Sequence, residues 1–149
     1  MIQIKIVDGQ HPDCAYLSQR LDDELYEIYG ELIGNYQAYN SLKGVQVAVL
    51  VYHNEKPVAC GGMKPYDEQT GEIKRVFVEK QMRKRGLAVQ IMNELEKQAK
   101  NRQYQTLILE TGYDQEPAVQ LYKKLGYDYM ENYGQYAHDD KCICMKKSI

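Results

Sequence analysis

The stretch Arg83-Lys84-Arg85-Gly86-Leu87-Ala88 decides how this chain folds, because it joins a strand-like run to a long helical pattern. The strand-like run is Arg75-Val76-Phe77-Val78, and the helical pattern extends from about Met82 to Lys100. A helix N-terminus carries unpaired N–H groups and about half a positive charge, and a glycine lets an anion approach the backbone. A basic turn with a glycine between strand and helix therefore predicts a cradle for a phosphate-bearing ligand.

The helix after this turn is predicted to cross between two parallel strands. Its apolar residues recur on one face, at Leu87, Ala88, Ile91, Met92, Leu95 and Ala99. The next run, Thr106-Leu107-Ile108-Leu109-Glu110-Thr111, is mostly apolar and has the length of a strand. Together they make a βαβ unit, whose crossover is almost always right-handed.

The rest of the chain is also predicted to consist of strands and helices. Residues 1–7 alternate like a strand, and a helix follows His11-Pro12-Asp13 up to about Tyr29-Gly30. The tyrosine-rich segment 31–43, which includes Tyr36 and Tyr39, is predicted to be a loop or a short second helix. Further strands are predicted at 45–51, 58–63, 72–78, 127–132 and 141–147, with a turn at 65–71 and a last helix from Gln115 to Gly126. This order predicts an α/β fold with a mixed sheet of about seven strands.

Size and composition limit the function classes. A chain of 149 residues suits one domain, 1–149, and 44% hydrophobic with 27% charged residues is typical of a globular protein. A net charge of −2 argues against a nucleic-acid partner, although Lys80 and Arg83–Arg85 form a local basic patch. No apolar run approaches the roughly 20 residues of a membrane span, and the N-terminus does not resemble a signal peptide. We therefore expect a cytoplasmic protein without a membrane or nucleic-acid partner.

Cysteine and histidine spacing predicts neither disulfides nor a metal site. Cys14, Cys60, Cys142 and Cys144 include no C-x-x-C pair. Two thiols placed two residues apart on one strand are poorly placed to bridge each other, so free thiols in a reducing compartment are expected. The three histidines are scattered along the sequence and suggest no catalytic pair.

Three segments carry a resemblance to a known family. Arg83, Gly86 and Ala88 match in register the pattern Gln/Arg-x-x-Gly-x-Gly/Ala, which resembles motif A of the GNAT superfamily of N-acetyltransferases. The run from Glu72 to Val78 resembles the fourth strand of that fold, and Ala118 to Tyr127, with its Leu-Tyr and Gly-Tyr pairs, resembles the motif B helix. Counted together with the order of the predicted strands and helices, the resemblance extends over nearly the whole chain.

The resemblance implies a fold, a cosubstrate and a binding site. The implied fold is a twisted mixed sheet with helices on both faces, in which the parallel fourth and fifth strands splay apart to admit acetyl-CoA. Strand residues Val76, Phe77 and Val78 would contact the pantetheine arm. Backbone N–H groups across the cradle would hold the pyrophosphate while basic side chains screen the remaining charge, and these residues are Arg83, Lys84, Arg85, Gly86, Leu87 and Ala88. No metal is implied.

The resemblance also suggests a general base. Transfer to an amine needs the neutral nucleophile, but an alkylammonium has a pKa of about 10.4, so a base or a water chain must remove a proton. Glu72 stands where a glutamate base lies in the histone-acetyltransferase branch of the superfamily. The alternatives are an exposed glutamate at a strand start, or one that pairs with the nearby Lys74 or Arg75.

A proton donor for the leaving thiolate is suggested by the motif B tyrosine. Tyr122 matches that tyrosine and is expected to be the acid. A purely structural reading is also open, because Ala118, Leu121, Tyr122 and Leu125 form one helical face that would pack on the sheet.

Substrate and assembly stay open in the sequence. Fourteen tyrosines, with one phenylalanine and no tryptophan, could line a pocket for a small amine, pack in a homodimer or simply lie on the surface. The acidic run Asp22, Asp23, Glu24 and Glu27 could attract a cationic acceptor or be a solvated helix face.

We expect direct acetyl transfer to a primary amine, preferably of a small molecule, because no cysteine lies in a matched catalytic segment. The alternatives are an enzyme acting on a protein N-terminus or lysine, and a non-catalytic CoA-binding regulatory module.

Overall fold

The computed structural model describes residues 1–36 and 40–149 and contains one seven-stranded sheet with three α-helices. Strands β1 to β4 are Ile2–Val7, Val47–His53, Lys56–Asp67 and Thr70–Val78, and β5 to β7 are Thr106–Gly112, Asp128–Met130 and Cys142–Ser148. Helices α1, α2 and α3 are Pro12–Tyr29, Leu87–Asn101 and Glu116–Lys124, and short 3-10 helices occupy Gly30–Tyr36, Lys80–Met82 and Gly134–Tyr136. The predicted α/β class and mixed sheet are confirmed.

The strand order is β1-β2-β3-β4-β5-β7-β6, with β4 and β5 parallel and the other neighbours antiparallel. The sheet carries helices on both faces. On one face α2 and α3 cover a core that includes Val49, Ile91 and Leu107. On the other face α1 covers Leu50 and Phe77, and the segment around Tyr133–Tyr136 covers the β5 and β7 end.

Several boundaries differ from the sequence-based expectations. Helix α2 begins at Leu87 and not near Met82, because Lys84 and Gly86 have φ values of 65° and 77°, which an α-helix cannot contain. The turn predicted at 65–71 is shorter, since β3 runs to Asp67 and β4 begins at Thr70. The segment 31–43 contains the 3-10 helix Gly30–Tyr36, whereas the part of that expectation that concerns Tyr39 lies outside the described residues.

The parallel strands β4 and β5 separate partway along their length. They pair at Thr70 with Thr106, Gly71 with Leu107 and Glu72 with Ile108, and no pairing follows. Beyond that point β4 stays bonded to β3 as far as Val78, and β5 stays bonded to β7 as far as Gly112. The splay predicted from the resemblance is therefore present, with both strands held firmly on their outer sides.

Candidate active site

The gap between the splayed strands is the floor of a cleft of about 340 Å³. Its walls come from both sides of the sheet: Ala118 and Tyr122 of α3 lie on one face, and Leu21 and Leu25 of α1 lie on the other. A volume of this size falls within the range of small-ligand sites. Because the gap passes through the sheet, two ligands can meet in it from opposite faces.

A β-bulge lies on β4 where the cleft opens. Two residues, Arg75 and Val76, face the single residue Gly61 of β3, and Arg75 has a left-handed φ of 59°. Helix α1 fixes this strained residue: the Arg75 guanidinium donates to the Ser18 hydroxyl at 3.0 Å and the Ser18 carbonyl at 2.8 Å, and pairs with Asp22. The bulge bends β4 where its pairing with β5 has just stopped, and thereby helps to form the gap.

The predicted cradle lies at the N-terminus of α2. No side chain caps this helix, its first turn contains no acidic residue, and Gly86 at the cap position has the left-handed φ of 77°. Gly86 accepts the first helical hydrogen bond, from the N–H of Gln90, so the N–H groups of the first turn have no partner within the helix. The backbone at Lys84–Ala88 therefore provides donors and positive potential suited to a phosphate.

The side chains of the cradle have different roles. Lys84 and Arg85 are exposed, but the Arg83 guanidinium bonds the Val78 carbonyl at 2.8 Å and Glu24 of α1 at 2.7 Å. Arg83 thus ties the cradle to α1, and its charge is largely matched before any ligand binds. The Leu87 side chain is buried in the core, so only its backbone can reach a ligand.

The three β4 residues that were predicted to contact the pantetheine arm lie in different places. Val76 lines the cleft, whereas the Phe77 side chain is buried under α1 on the opposite face and Val78 packs against the core beneath α2. The structure therefore brings one of the three side chains to the cleft. Phe77 and Val78 could contribute there only through backbone groups.

Tyr122 lies in the cleft wall and is only 8% exposed. Its ring packs edge-on to Tyr127 with the centroids 5.9 Å apart. Burial, reinforced by the negative charge of Glu110, raises the pKa of Tyr122 to about 12. The hydroxyl is consequently protonated at neutral pH, which is the state that a proton donor needs.

Glu72 is placed differently from what a general base requires. It lies at the last paired position of β4, is 4% exposed, and does not line the cleft. Its carboxylate accepts a hydrogen bond of 2.7 Å from the Tyr133 hydroxyl and lies 3.9 Å from the Lys74 ammonium. Its catalytic role stays a prediction, and the reading of an exposed glutamate is wrong because Tyr133 covers it.

The sequence reasoning gave no site role to the charged cleft residues Lys74 and Glu110. Lys74 is 8% exposed and donates to the Tyr136 hydroxyl at 3.4 Å, and burial lowers its pKa against the opposing effect of Glu72. Glu110 lines the gap from β5; burial raises its pKa, opposed by a hydrogen bond from the Cys142 thiol. A signal existed, since Glu110 is the one charged residue within the apolar run 106–111.

The site fits acetyl-CoA on two observations: an uncapped helix N-terminus with basic neighbours, and an adjoining slot between splayed strands. Within residues 1–36 and 40–149, no group of three or more histidine, cysteine or acidic side chains is arranged to hold a metal ion. None of the helices in that part of the chain combines the length and apolar character needed to cross a bilayer.

A phosphate-binding helix beside a split parallel strand pair is the architecture of acyl-CoA N-acyltransferases. Residues 10–127 match the model of the acetyltransferase (GNAT) family, and the chain belongs to that family. It is therefore an acyltransferase of the N-acetyltransferase class.

Individual relatives agree with this assignment. The chain is 31% identical over 100 residues to the uncharacterized N-acetyltransferase YsnE of Bacillus subtilis (strain 168), covering 66% of each protein. A structure from Klebsiella pneumoniae subsp. pneumoniae MGH 78578, described as an acyl-CoA N-acyltransferase, superposes with a TM-score of 0.81 at 27% identity, covering 99% of this chain and 97% of that one. A GNAT family acetyltransferase from Elizabethkingia anophelis, solved with acetyl-CoA bound, gives a TM-score of 0.72 at 20% identity, covering 99% and 98%.

Proposed function

We propose that this protein transfers the acetyl group of acetyl-CoA directly to the primary amine of a small molecule. The observation that carries the proposal is the cleft itself, which passes through the sheet between Val76 and Leu109 and is walled by α3 on one face and α1 on the other. Acetyl-CoA would supply an activated thioester on the α3 side. The acceptor would approach from the α1 side, so that both substrates are held together.

The cradle would bind the pyrophosphate through its backbone. Lys84, Arg85, Gly86, Leu87 and Ala88 would offer N–H groups, with the two exposed basic side chains adding charge. Arg83 would act mainly by fixing the loop to Val78 and Glu24. Val76 would contact the pantetheine arm with its side chain, and Phe77 and Val78 with their backbone.

Tyr122 would protonate the departing thiolate. Its raised pKa keeps the proton on the phenol until a stronger base forms in contact with it. A cysteine-linked acetyl intermediate is disfavoured, because burial raises the pKa of Cys142, the one cysteine among the cleft residues in the described part of the chain.

Glu72 could accept a proton only through a neighbour. Lys74 lines the cleft and lies 3.9 Å from the Glu72 carboxylate, so the ammonium of Lys74 stands between Glu72 and any bound amine. In this proposal Glu72 sets the charge and position of Lys74 and does not itself touch the amine.

Ligand-dependent unfolding tests the proposal. A ligand at about 100 times its dissociation constant should stabilise the protein by about 2.7 kcal/mol, so acetyl-CoA and CoA should each raise Tm while ATP does not. Tyr122→Phe should keep that rise but release thiol at least about 100-fold more slowly with a cognate amine. Absence of any rise would contradict CoA binding, and a normal rise without turnover of any amine or peptide would favour the regulatory-module alternative.

We further propose a cytoplasmic, single-domain protein, 1–149, that binds neither nucleic acid nor membrane and could form a homodimer. The buried free thiols Cys14, Cys60, Cys142 and Cys144 suit a reducing compartment. Edge strand β1 exposes Ile2, Ile4 and Ile6 by 40–42% and could pair with a second copy. Light scattering after gel filtration tests the dimer, and a monomer at micromolar concentration would contradict it.

A further inference from the structure

The acceptor end of the cleft contains two carboxylates, Glu110 and Asp114, that form no ion pair with any residue in the described part of the chain. Among the cations that line the cleft, Arg75 is paired with Asp22, Lys74 lies 3.9 Å from Glu72, and Lys141 is exposed. Asp114 accepts a hydrogen bond from the Tyr29 hydroxyl. Glu110 forms no ion pair with any residue in the described part of the chain, and the Cys142 thiol is its hydrogen-bond partner. A half-buried carboxylate in this position can accept a cationic ligand group.

The charges around Glu110 also leave room for one cation. Glu72 and Glu110 carry two negative charges, and Lys74 between them carries one positive charge that lies closest to Glu72. The Tyr133 hydroxyl occupies an oxygen of Glu72, which does not line the cleft. One ammonium brought to Glu110 would therefore offset the negative charge that Lys74 leaves unmatched in this pair of carboxylates.

The wall facing this carboxylate is mostly apolar and aromatic. Leu21 and Leu25 of α1 and Leu32 and Ile33 of the following 3-10 helix line it together with tyrosine rings. Two of these tyrosines have hydroxyls bonded to carboxylates, Tyr29 to Asp114 and Tyr36 to Asp139, so Asp114 and Asp139 are already engaged. This wall therefore favours an acceptor whose body is apolar or aromatic.

We propose that Glu110 binds the ammonium of the acceptor and takes its proton, and that the acceptor is a compact monoamine with an apolar or aromatic body. This inference rests on the proposed N-acetyltransferase function and specifies its acceptor side. Glu110 is the catalytic residue here, and Glu72 is a positioning residue that acts through Lys74 and Tyr133.

The proton and electron balance is complete. The acceptor ammonium gives one proton to the Glu110 carboxylate, and the nitrogen lone pair forms a C–N bond at the thioester carbonyl carbon as the carbonyl π pair moves to oxygen. When that pair returns, the C–S bond breaks and sulfur takes the bonding electrons. Tyr122 passes its proton to sulfur and regains one from the new C–N nitrogen, and Glu110 releases its proton to water. The products are the amide and free thiol.

The groups that control the ionisation of Glu110 come from several elements. They face it from β4, β7, the 3-10 segments, α1 and α3, and are Glu72, Lys74, Cys142, Cys144, Asp139, Tyr29, Tyr36, Tyr122 and Tyr136. Because its folded pKa is raised, the folded protein holds more protons here than the unfolded chain between the two pKa values. Ionised Glu110 therefore costs stability as pH rises, and removing its charge should stabilise the fold.

The test compares Glu110→Gln with Glu72→Gln, using Glu68→Gln, an exposed turn residue outside the cleft, as control. Thiol release is measured with 2-phenylethylamine, spermidine and N-acetyl-lysine amide as acceptors from pH 5 to 9. We expect 2-phenylethylamine to have the highest kcat/KM. We expect Glu110→Gln to lower it at least about 100-fold and remove the acid limb of the profile, while Glu72→Gln keeps that limb.

Two readouts do not depend on turnover. In the presence of CoA, calorimetry should find that the wild type prefers 2-phenylethylamine over uncharged 2-phenylethanol, and that Glu110→Gln loses this preference. Glu110→Gln should also have a higher Tm than the wild type at pH 8, with the difference shrinking towards pH 5, whereas a merely structural role would lower Tm.

The following outcomes would overturn the inference: spermidine or the lysine derivative as the better acceptor, an unchanged acid limb in Glu110→Gln, or a preserved amine preference in that variant. Stabilisation by CoA with no turnover of the three amines would also overturn it, while leaving CoA binding intact. Absence of any CoA effect would count against the proposed function first.

Discussion

The two halves of the β4–β5 pair contrast sharply although they belong to the same strands. In the paired half, three register pairs join Thr70–Glu72 to Thr106–Ile108. In the splayed half, β4 from Ile73 and β5 from Leu109 keep only their outer neighbours β3 and β7, and Ile73–Val76 and Leu109–Gly112 line the cleft. The gap therefore lies between two strands that are each hydrogen-bonded to an outer neighbour. It leaves backbone groups of β4 and β5 available to a ligand.

Electrostatics follow the same division. In the paired half Glu72 is covered and hydrogen-bonded, and Tyr133 and Lys74 satisfy it. In the splayed half Glu110 faces the cleft with a raised pKa and forms no ion pair with any described residue, although the charge of Lys74 acts on it. The same type of side chain is thus covered on one side of the split and faces the cleft on the other.

The largest expected effect compares two leucines on the same face of β5. Leu107 lies in the paired half and Leu109 at the start of the splay, and both are buried, at 0% and 2% exposure. Leu107→Ala should lower the free energy of unfolding by about 2–5 kcal/mol, because it leaves a closed cavity. Leu109→Ala should cost less, because its lost volume adjoins the cleft and water can enter it.

Urea unfolding with matched m values measures both variants. Equal losses of unfolding free energy would mean that Leu109 is packed as tightly as Leu107. The looser half of β5 would then begin after Leu109.

The second prediction concerns the bulge that separates the halves. Arg75→Ala removes the bonds to Ser18 and Asp22 that hold a left-handed residue in place, and should cost about 1.5–3 kcal/mol. It should also reduce the stabilisation by acetyl-CoA, because the course of β4 beyond the bulge forms one wall of the gap.

Arg102→Ala is the matched control, since Arg102 is exposed at the end of α2, and it should change stability by less than about 0.5 kcal/mol. If Arg75→Ala retained both wild-type stability and the full acetyl-CoA effect, α1 would not be what fixes the bulge.

The sequence predicted the backbone structure of the splayed region better than the contacts of its side chains. Local pattern was enough for the glycine turn at Gly86 and the start of a helix, because φ preferences and helix polarity act over a few residues. It was not enough for Arg83, whose partner Glu24 is 59 residues away. The burial of Glu72 was not predicted for the same reason, since Tyr133, which covers it, lies 61 residues away and on another element.

Glu110 illustrates the complementary failure. A charged residue in an apolar strand normally marks the strand end, and Glu110 has that position in 106–111. It lines the cleft because β4 no longer pairs with β5 beyond Glu72, close to the bulge at Arg75. The resemblance pointed to the correct fold and cleft, but the order of charges within the cleft required the packed structure.

The smallest expected effect compares two glycines that both have open space where an alanine methyl group would lie. A Cβ at Gly86 or Gly34 would meet no atom within 4 Å, but only Gly86 has a left-handed φ. Gly86→Ala should therefore cost about 1 kcal/mol of stability from backbone strain, and Gly34→Ala almost none. Acetyl-CoA should raise Tm fully in Gly34→Ala and less in Gly86→Ala, because the methyl group would project where the phosphate must approach the backbone. Equal Tm shifts in the two variants would mean that the phosphate does not bind at the α2 N-terminus. The cradle would then not belong to the same binding site as the cleft.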